Sequence, residues 1–203
     1  MCGRFLFLDG EGIAEIGAIL RDIGVKYSGT GLSAKTGEIF PTDSVAALSL
    51  KDGKPALSLM KWGFPKWSGE KGVIINARSE TAAEKKMFAK PLAERRCVIP
   101  STGFLEWKRS ASGKSSEKFR FNMADELTPM LYMAGIYTEV DDGDGVRERF
   151  VILTREANAS IAEVHDRMPV ILHKSELTKW LSDRNFADYA MERDDVELLK
   201  QSE

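Results

Sequence analysis

Cysteine stands second in the chain, in the run Met1-Cys2-Gly3-Arg4-Phe5. Loss of Met1 would leave Cys2 with a free α-amine and a thiol on adjacent carbons, a 1,2-aminothiol whose reactivity neither group has alone. In an extended segment, alternation sets Cys2, Arg4 and Leu6 on one face and Gly3, Phe5 and Phe7 on the other. A guanidinium beside the thiol would lower its pKa and could hold a phosphate close to it. The same five residues also fit a frayed terminus carrying a surface arginine.

Asn76-Ala77-Arg78 follows the apolar run Val73-Ile74-Ile75, and strand parity aims Ile74, Asn76 and Arg78 the same way. An amide there can orient a nucleophile while the guanidinium grips an anion. Alternatively, Asn76 caps the next helix and Arg78 pairs with Glu80 or Glu84. Glu106 lies inside the hydrophobic run Phe104-Leu105-Glu106-Trp107, on the face of Phe104. A carboxylate in such surroundings resists ionisation, and its pKa rises toward the range useful for acid or base work unless a cation satisfies it.

His165, in His165-Asp166-Arg167-Met168-Pro169, is one of two histidines, and its polar cluster suits proton transfer as well as a structural role. His173, after Val170-Ile171-Leu172 and before Lys174, has the pattern of an exposed strand end. Trp62-Gly63-Phe64-Pro65-Lys66-Trp67 sets aromatics beside lysine, useful for stacking bases and equally for packing a core. Cys97, flanked by Val98, reads as a packing residue. A Cys2–Cys97 disulfide is disfavoured in a reducing compartment, and a zinc site from Cys2, Cys97, His165 and His173 lacks closely spaced ligands. Neither a metal nor a cofactor is expected. Asp141-Asp142-Gly143-Asp144-Gly145 imitates a calcium loop without its later glutamate and reads as a hairpin turn.

These side chains need a scaffold, and the hydrophobic periodicity supplies one rich in strands. Strands are predicted over residues 3–8, 45–50, 56–62, 73–78, 96–99, 103–109, 118–123, 130–137 and 149–154, with 45–50 and 56–62 forming a hairpin around Asp52-Gly53. Ile13, Ile16, Ile19, Leu20 and Ile23 have helical spacing. Thr81-Ala82-Ala83-Glu84 has the capping-box pattern and starts a helix that Pro91 interrupts or restarts. A short helix is predicted over 157–164, and a C-terminal helical pair over 175–181 and 185–200. No repeat or linker divides the chain, so a single α+β domain over 1–203 is expected.

With 203 residues and 43% hydrophobic content the chain can bury a sizeable core. A formal net charge of −2 argues against a generally basic nucleic-acid binder, so any nucleic-acid site must gather its cations on one face. The apolar runs fall far short of the ~18 residues of a membrane span, and no leader is read at the N-terminus. A cytoplasmic protein without a membrane partner is expected.

Met1-Cys2-Gly3-Arg4-Phe5, Trp62-Gly63-Phe64-Pro65-Lys66-Trp67, Asn76-Ala77-Arg78-Ser79-Glu80, the stretch from Arg96-Cys97 through Ser101-Thr102-Gly103 to Glu106-Trp107, and His165-Asp166-Arg167-Met168-Pro169 together resemble the SOS response-associated peptidase (SRAP) family. The resemblance covers residues 1 to about 172. It implies a single domain around a curved, barrel-like antiparallel β-sheet with flanking helices and a groove for single-stranded DNA. It further implies covalent trapping of abasic sites, with Cys2 as nucleophile, Asn76 orienting it, Glu106 as acid/base and His165 beside the opened sugar. Arg4, Arg78, Trp67, Pro41 and Arg167 match positions near the DNA. Where many relatives carry Asn-x-Ala-Pro, this chain has Glu38-Ile39-Phe40-Pro41, keeping the proline and losing the amide. The implied partner is single-stranded DNA containing abasic sites. The protein is expected to act as a monomer, nucleoid-associated when bound to DNA.

The chemistry follows from the aminothiol. An α-amine with a pKa of about 7.7 to 8.0 keeps a neutral fraction near pH 7 that lysine, at about 10.4, lacks. It attacks the open-chain aldehyde of an abasic sugar to give an imine, and the thiol then closes a thiazolidine. Two rival functions start from the same residues: a thiol autopeptidase or N-terminal-cysteine amidotransferase, and a non-covalent single-stranded DNA sensor.

Overall fold

In the computed structural model, which describes residues 2–8, 13–66, 70–110, 116–124, 129–141, 143 and 145–203, Asp52 and Gly53 turn with φ of +51° and +73°. That left-handed pair is the two-residue hairpin turn whose twist suits the flanking strands. It joins two strands in the register Lys51↔Lys54 through Ser44↔Lys61.

The first half of the chain runs β1 (Arg4–Phe7), α1 (Ala14–Lys26), β2 (Gly37–Ile39), β3 (Ser44–Lys51), β4 (Lys54–Trp62), β5 (Phe64–Pro65), β6 (Val73–Ile74), β7 (Asn76–Arg78), α2 (Ser79–Ala82) and α3 (Lys86–Glu94). The second half runs β8 (Arg96–Ser101), β9 (Gly103–Arg109), β10 (Ser116–Met123), β11 (Leu131–Asp141), β12 (Val146–Glu156), β13 (Arg167–Pro169), β14 (Ile171–Leu172), α4 (Leu177–Ser182), α5 (Arg184–Glu192) and β15 (Leu198–Ser202).

Strands β12, β4, β3, β8 and β11 lie side by side, and pairing of β11 with β12 closes them into a barrel. The closed sheet with its flanking helices is the α+β architecture expected from the sequence. Its pairs are antiparallel except at β12, which runs parallel to β4 and to β7. Inside, Trp62 stacks on Phe150 at 6.2 Å between ring centroids and meets Phe5 at 5.1 Å. Trp62 is therefore a core residue. Gly135 of β11 is where the wall is tightest: an added Cβ would sit 2.5 Å from Ile99 Cδ1 and 3.0 Å from the Cys97 sulfur.

A second sheet, in the order β15-β10-β9-β1-β2, carries the N-terminal strand. Phe5, Phe104 and Phe121 are buried on its inner face, with Phe104 stacked on Phe121. Helix α1 buries Ile16, Ile19 and Ile23, three of the residues whose spacing predicted it.

Three sequence expectations are corrected. Residues 159–164 form successive turns instead of a helix. Asn158 Oδ1 accepts from the Ser160 N–H and hydroxyl, the local side-chain bonding that competes with helical hydrogen bonds. The last helix ends at Glu192, and Leu198–Ser202 pairs with β10, so the expected helix over 185–200 is helical only to 192, irregular over 193–197 and an edge strand from Leu198. Thr81 lies inside α2, and the next helix starts at Lys86 with Pro91 accommodated within it. The loop between β11 and β12 is a hairpin connection, with the Gly143 N–H donating to Asp141 Oδ1 at 2.9 Å.

Candidate catalytic and nucleic-acid site

Cys2 lies just before β1 and is fully buried. Its thiol contacts the Arg4 carbonyl at 3.5 Å, and its own carbonyl accepts from Asn76 Nδ2 at 2.9 Å. Burial pushes the thiol pKa well up, and the nearby Glu106 charge pushes it further in the same direction. The expected acidification by Arg4 is therefore absent. Strand pairing begins at Arg4, so alternation does not carry back to Cys2, and the Arg4 guanidinium points to other partners.

Asn76 reaches the cysteine because the carbonyl just before it is held by two donors. The Trp62 indole N–H donates to the Ile75 carbonyl at 3.0 Å, and the Ile152 N–H donates to the same carbonyl at 3.1 Å. The remaining amide oxygen of Asn76 is buried with no hydrogen-bond partner among the described residues. Asn76 caps no helix, because the N-cap of α2 is Arg78. Arg78 is exposed, and its supposed partner Glu80 is engaged elsewhere. Ile74, Asn76 and Arg78 share the lining of one groove of about 540 Å³ with Lys85, Met87 and Phe88. The parity read from the sequence holds there.

Glu106 is 4% exposed on β9. Burial raises its carboxyl above the usual range, opposed in part by the charge of His165. Since Glu106 also acts on Cys2, the structure gathers Cys2, Asn76, Glu106 and His165 around one centre. His165 closes the turn after β12, its backbone N–H bonded to the Ile161 carbonyl.

The Arg167 amide N–H donates to His165 Nδ1 at 2.9 Å, while the Asp166 carboxylate lies 2.9 Å from the same nitrogen. The two contacts call for opposite protonation of Nδ1. An amide N–H is an obligatory donor, so in the neutral ring Nδ1 accepts and Nε2 carries the proton. The exposed Asp166 becomes a partner when the ring is charged.

The groups read as DNA contacts are placed unequally. Arg4 Cζ sits 4.6 Å from the Phe40 ring centroid and 5.1 Å from that of Trp107, while Nη1 is 2.9 Å from Glu38 Oε1. Pro41 occupies a tight turn beside them, closed by the Asp43 N–H on the Phe40 carbonyl at 3.1 Å. Arg167 is 7% exposed. Its guanidinium forms a fork on Glu80 at 2.6 and 2.8 Å and also reaches the Thr154 carbonyl at 2.7 Å. It braces the entry to β13 under His165. Trp67 lies outside the described residues.

Sequence reasoning missed Phe40, Trp107 and Glu80 as members of the site. Phe40 and Trp107 were accessible in principle, because each is an aromatic on the register that faces Arg4. Cys97 is a buried free thiol, as its packing reading required. Among the described residues no group of His, Cys, Asp and Glu side chains is placed to hold a metal ion. Among them, too, no helix is long and apolar enough to cross a membrane.

The family model for SOS response associated peptidase (SRAP) matches residues 1–201. This chain belongs to the SRAP family. Among the relatives of this SRAP chain is the abasic site processing protein YoqW of Bacillus subtilis, 29% identical over 191 residues, or 91% of this chain and 82% of its own length. The abasic site processing protein YedK of Escherichia coli is 33% identical over 145 residues, 70% of this chain and 63% of its own. A crystal structure of a Bacteroides thetaiotaomicron protein superposes with a TM-score of 0.77 at 23% identity, covering 99% of this SRAP chain and 91% of its own, which bears on the fold.

Proposed function

We propose that this SRAP protein processes abasic sites in single-stranded DNA, capturing them covalently through Cys2 once Met1 has been removed. The observation that carries the proposal is the convergence on Cys2 of the Asn76 amide and the buried Glu106, with His165 coupled to Glu106. The printed names of the relatives, abasic site processing proteins, support the same reading.

Hydrolysis of the Met1–Cys2 bond, assigned to the same site, releases methionine and frees the α-amine. In the ring-closed sugar the aldehyde is masked; as the bond from C1 to the ring oxygen breaks, the Nε2–H of His165 protonates that oxygen, and the proton shed by the C1 hydroxyl as the C=O forms restores the imidazole. The neutral amine adds to the aldehyde carbon, and loss of water gives the imine. Glu106, protonated over a wider pH range than an exposed carboxyl, delivers and recovers the protons of that step. The thiol, kept protonated by burial, then adds across the C=N bond as its proton moves to nitrogen, which closes the thiazolidine with no further atom lost. A buried thiol that stays neutral suits this order, in which the amine attacks first. Asn76 holds the Cys2 backbone so that both groups face the same carbon.

The DNA backbone is assigned to Arg4 and Arg78 and base stacking to Phe40, Trp107 and, from the family resemblance alone, Trp67, with Pro41 shaping the turn beside Phe40. Arg167 is assigned to positioning His165. The test is Cys2→Ser with an abasic oligonucleotide: it binds the single strand yet yields no heat-stable adduct. A wild-type yield of heat-stable adduct from that variant contradicts the mechanism.

A further inference from the structure

The outer face of the β15-β10-β9-β1-β2 sheet presents a cation built to meet nucleic acid, yet the cation is already occupied. Arg4 is half-exposed and lies between the rings of Phe40 and Trp107. Glu38 sits diagonally across the β1–β2 pair, with Leu6↔Glu38 and Phe5↔Ile39 in register, and its Oε1 is 2.9 Å from Arg4 Nη1. Its second oxygen, Oε2, lies 3.9 Å from Lys118 Nζ, and Lys118 is held in turn by Glu203 at 3.3 Å.

A carboxylate and a phosphodiester offer a guanidinium the same thing, one negative charge on a pair of oxygens accepting parallel N–H bonds. We propose that Glu38 is an internal substitute for a DNA phosphate, occupying Arg4 until a strand displaces it. This rests on the reading that the face binds single-stranded DNA. The side chains of Arg4 and Glu38 are 41% and 30% exposed, so the pair is open to solvent and exchangeable; such pairs shift an equilibrium by up to about fivefold. Glu38 thus weakens the hold on any single strand, damaged or intact, while leaving covalent capture as the step that retains a strand. Its effect is selectivity: intact DNA leaves quickly, and an abasic site stays by its bond.

The two charges also set a salt signature. A phosphate that meets a bare arginine releases about 0.7 of a counterion from a single strand. When Glu38 is displaced by that phosphate, its freed carboxylate takes up a cation, and the net release is smaller.

The test measures anisotropy of a labelled, undamaged oligothymidine between about 50 and 200 mM salt, using the wild-type chain, Glu38→Gln, Arg4→Gln and the double variant. Glu38→Gln is expected to bind about two- to fivefold tighter and to steepen the slope of log K against log salt by up to about 0.7. The gain is expected to vanish in the Arg4→Gln background. Equal or weaker binding by Glu38→Gln, or a gain that survives loss of Arg4, overturns the role of Glu38. Adduct formation by the wild-type chain with saturating abasic oligonucleotide is read alongside by mass. An adduct without a Glu38→Gln gain overturns this inference alone, whereas the lack of any adduct overturns the capture reading beneath it.

Discussion

A carboxyl group 4% exposed on β9 ionises at a cost to the fold, and that cost gives Glu106 a measurable signature. Its folded-state pKa lies above the ordinary 4.5 because burial disfavours the charged form. The protonated group therefore stabilises the fold in full below that pH, and the contribution is lost as pH rises through the raised pKa. Glu106→Gln, neutral at every pH, is expected to melt above wild type near pH 7, with the gap narrowing near pH 4; a gap that widens on acidification contradicts the assignment. The same variant is expected to slow adduct formation and reversal by about a hundredfold or more, read by gel at fixed times. Glu106 was legible as a polar residue in an apolar strand. The raised pKa of Cys2 was not, because it depends on where strand pairing starts and on a carboxylate more than one hundred residues away in the chain.

At the scale of elements, two arginines act as braces. Arg96, 5% exposed, donates to the carbonyls of Leu92 and Ala93 at the end of α3 and of Trp180 and Leu181 in α4. These are carbonyls that helix ends leave without partners. Arg96→Met strands them in the core, at roughly 1–3 kcal/mol for a buried polar group left unmade. A loss of about 3 kcal/mol is expected, or a Tm lower by roughly 6–12 °C; an unchanged Tm refutes the bracing role. Arg167 and Glu80 brace the entry to β13. The carboxyl of Glu80 is held below its ordinary range by the Arg167 bond, so its stabilisation is present above pH 4.5 and lost as pH falls below it. Wild type is therefore expected to unfold at higher urea than Glu80→Gln near pH 7, and the two curves are expected to converge near pH 3. The β3–β4 hairpin was readable from Asp52-Gly53 because turn chemistry is local. The turns at 159–164 and strand β15 were not, since an Asn158 side-chain bond and an open edge on β10 decided them.

For the whole molecule, net charge is close to neutral, so the proposed binding of DNA must draw on local cations, Arg4 on the outer face of one sheet and Arg78 in the groove beside β7. Arg78→Gln is expected to weaken binding of undamaged single strands and to flatten the log K against log salt slope by about 0.7; an unchanged slope removes Arg78 from the backbone contacts. The α+β class and most strands were visible in the sequence, and so were the four residues that converge. The barrel was legible only through the family resemblance and not from the strand patterning, because β11 and β12 meet β8 and β4 through pairings far apart in the chain. The central claim is covalent capture by a Cys2 freed of Met1, and intact mass with and without an abasic oligonucleotide tests it most directly. The account predicts a protein lacking one methionine that shifts, without added reductant and after heating, by the mass of the oligonucleotide less one water. A protein retaining Met1, or one lacking it that never shifts, contradicts the account.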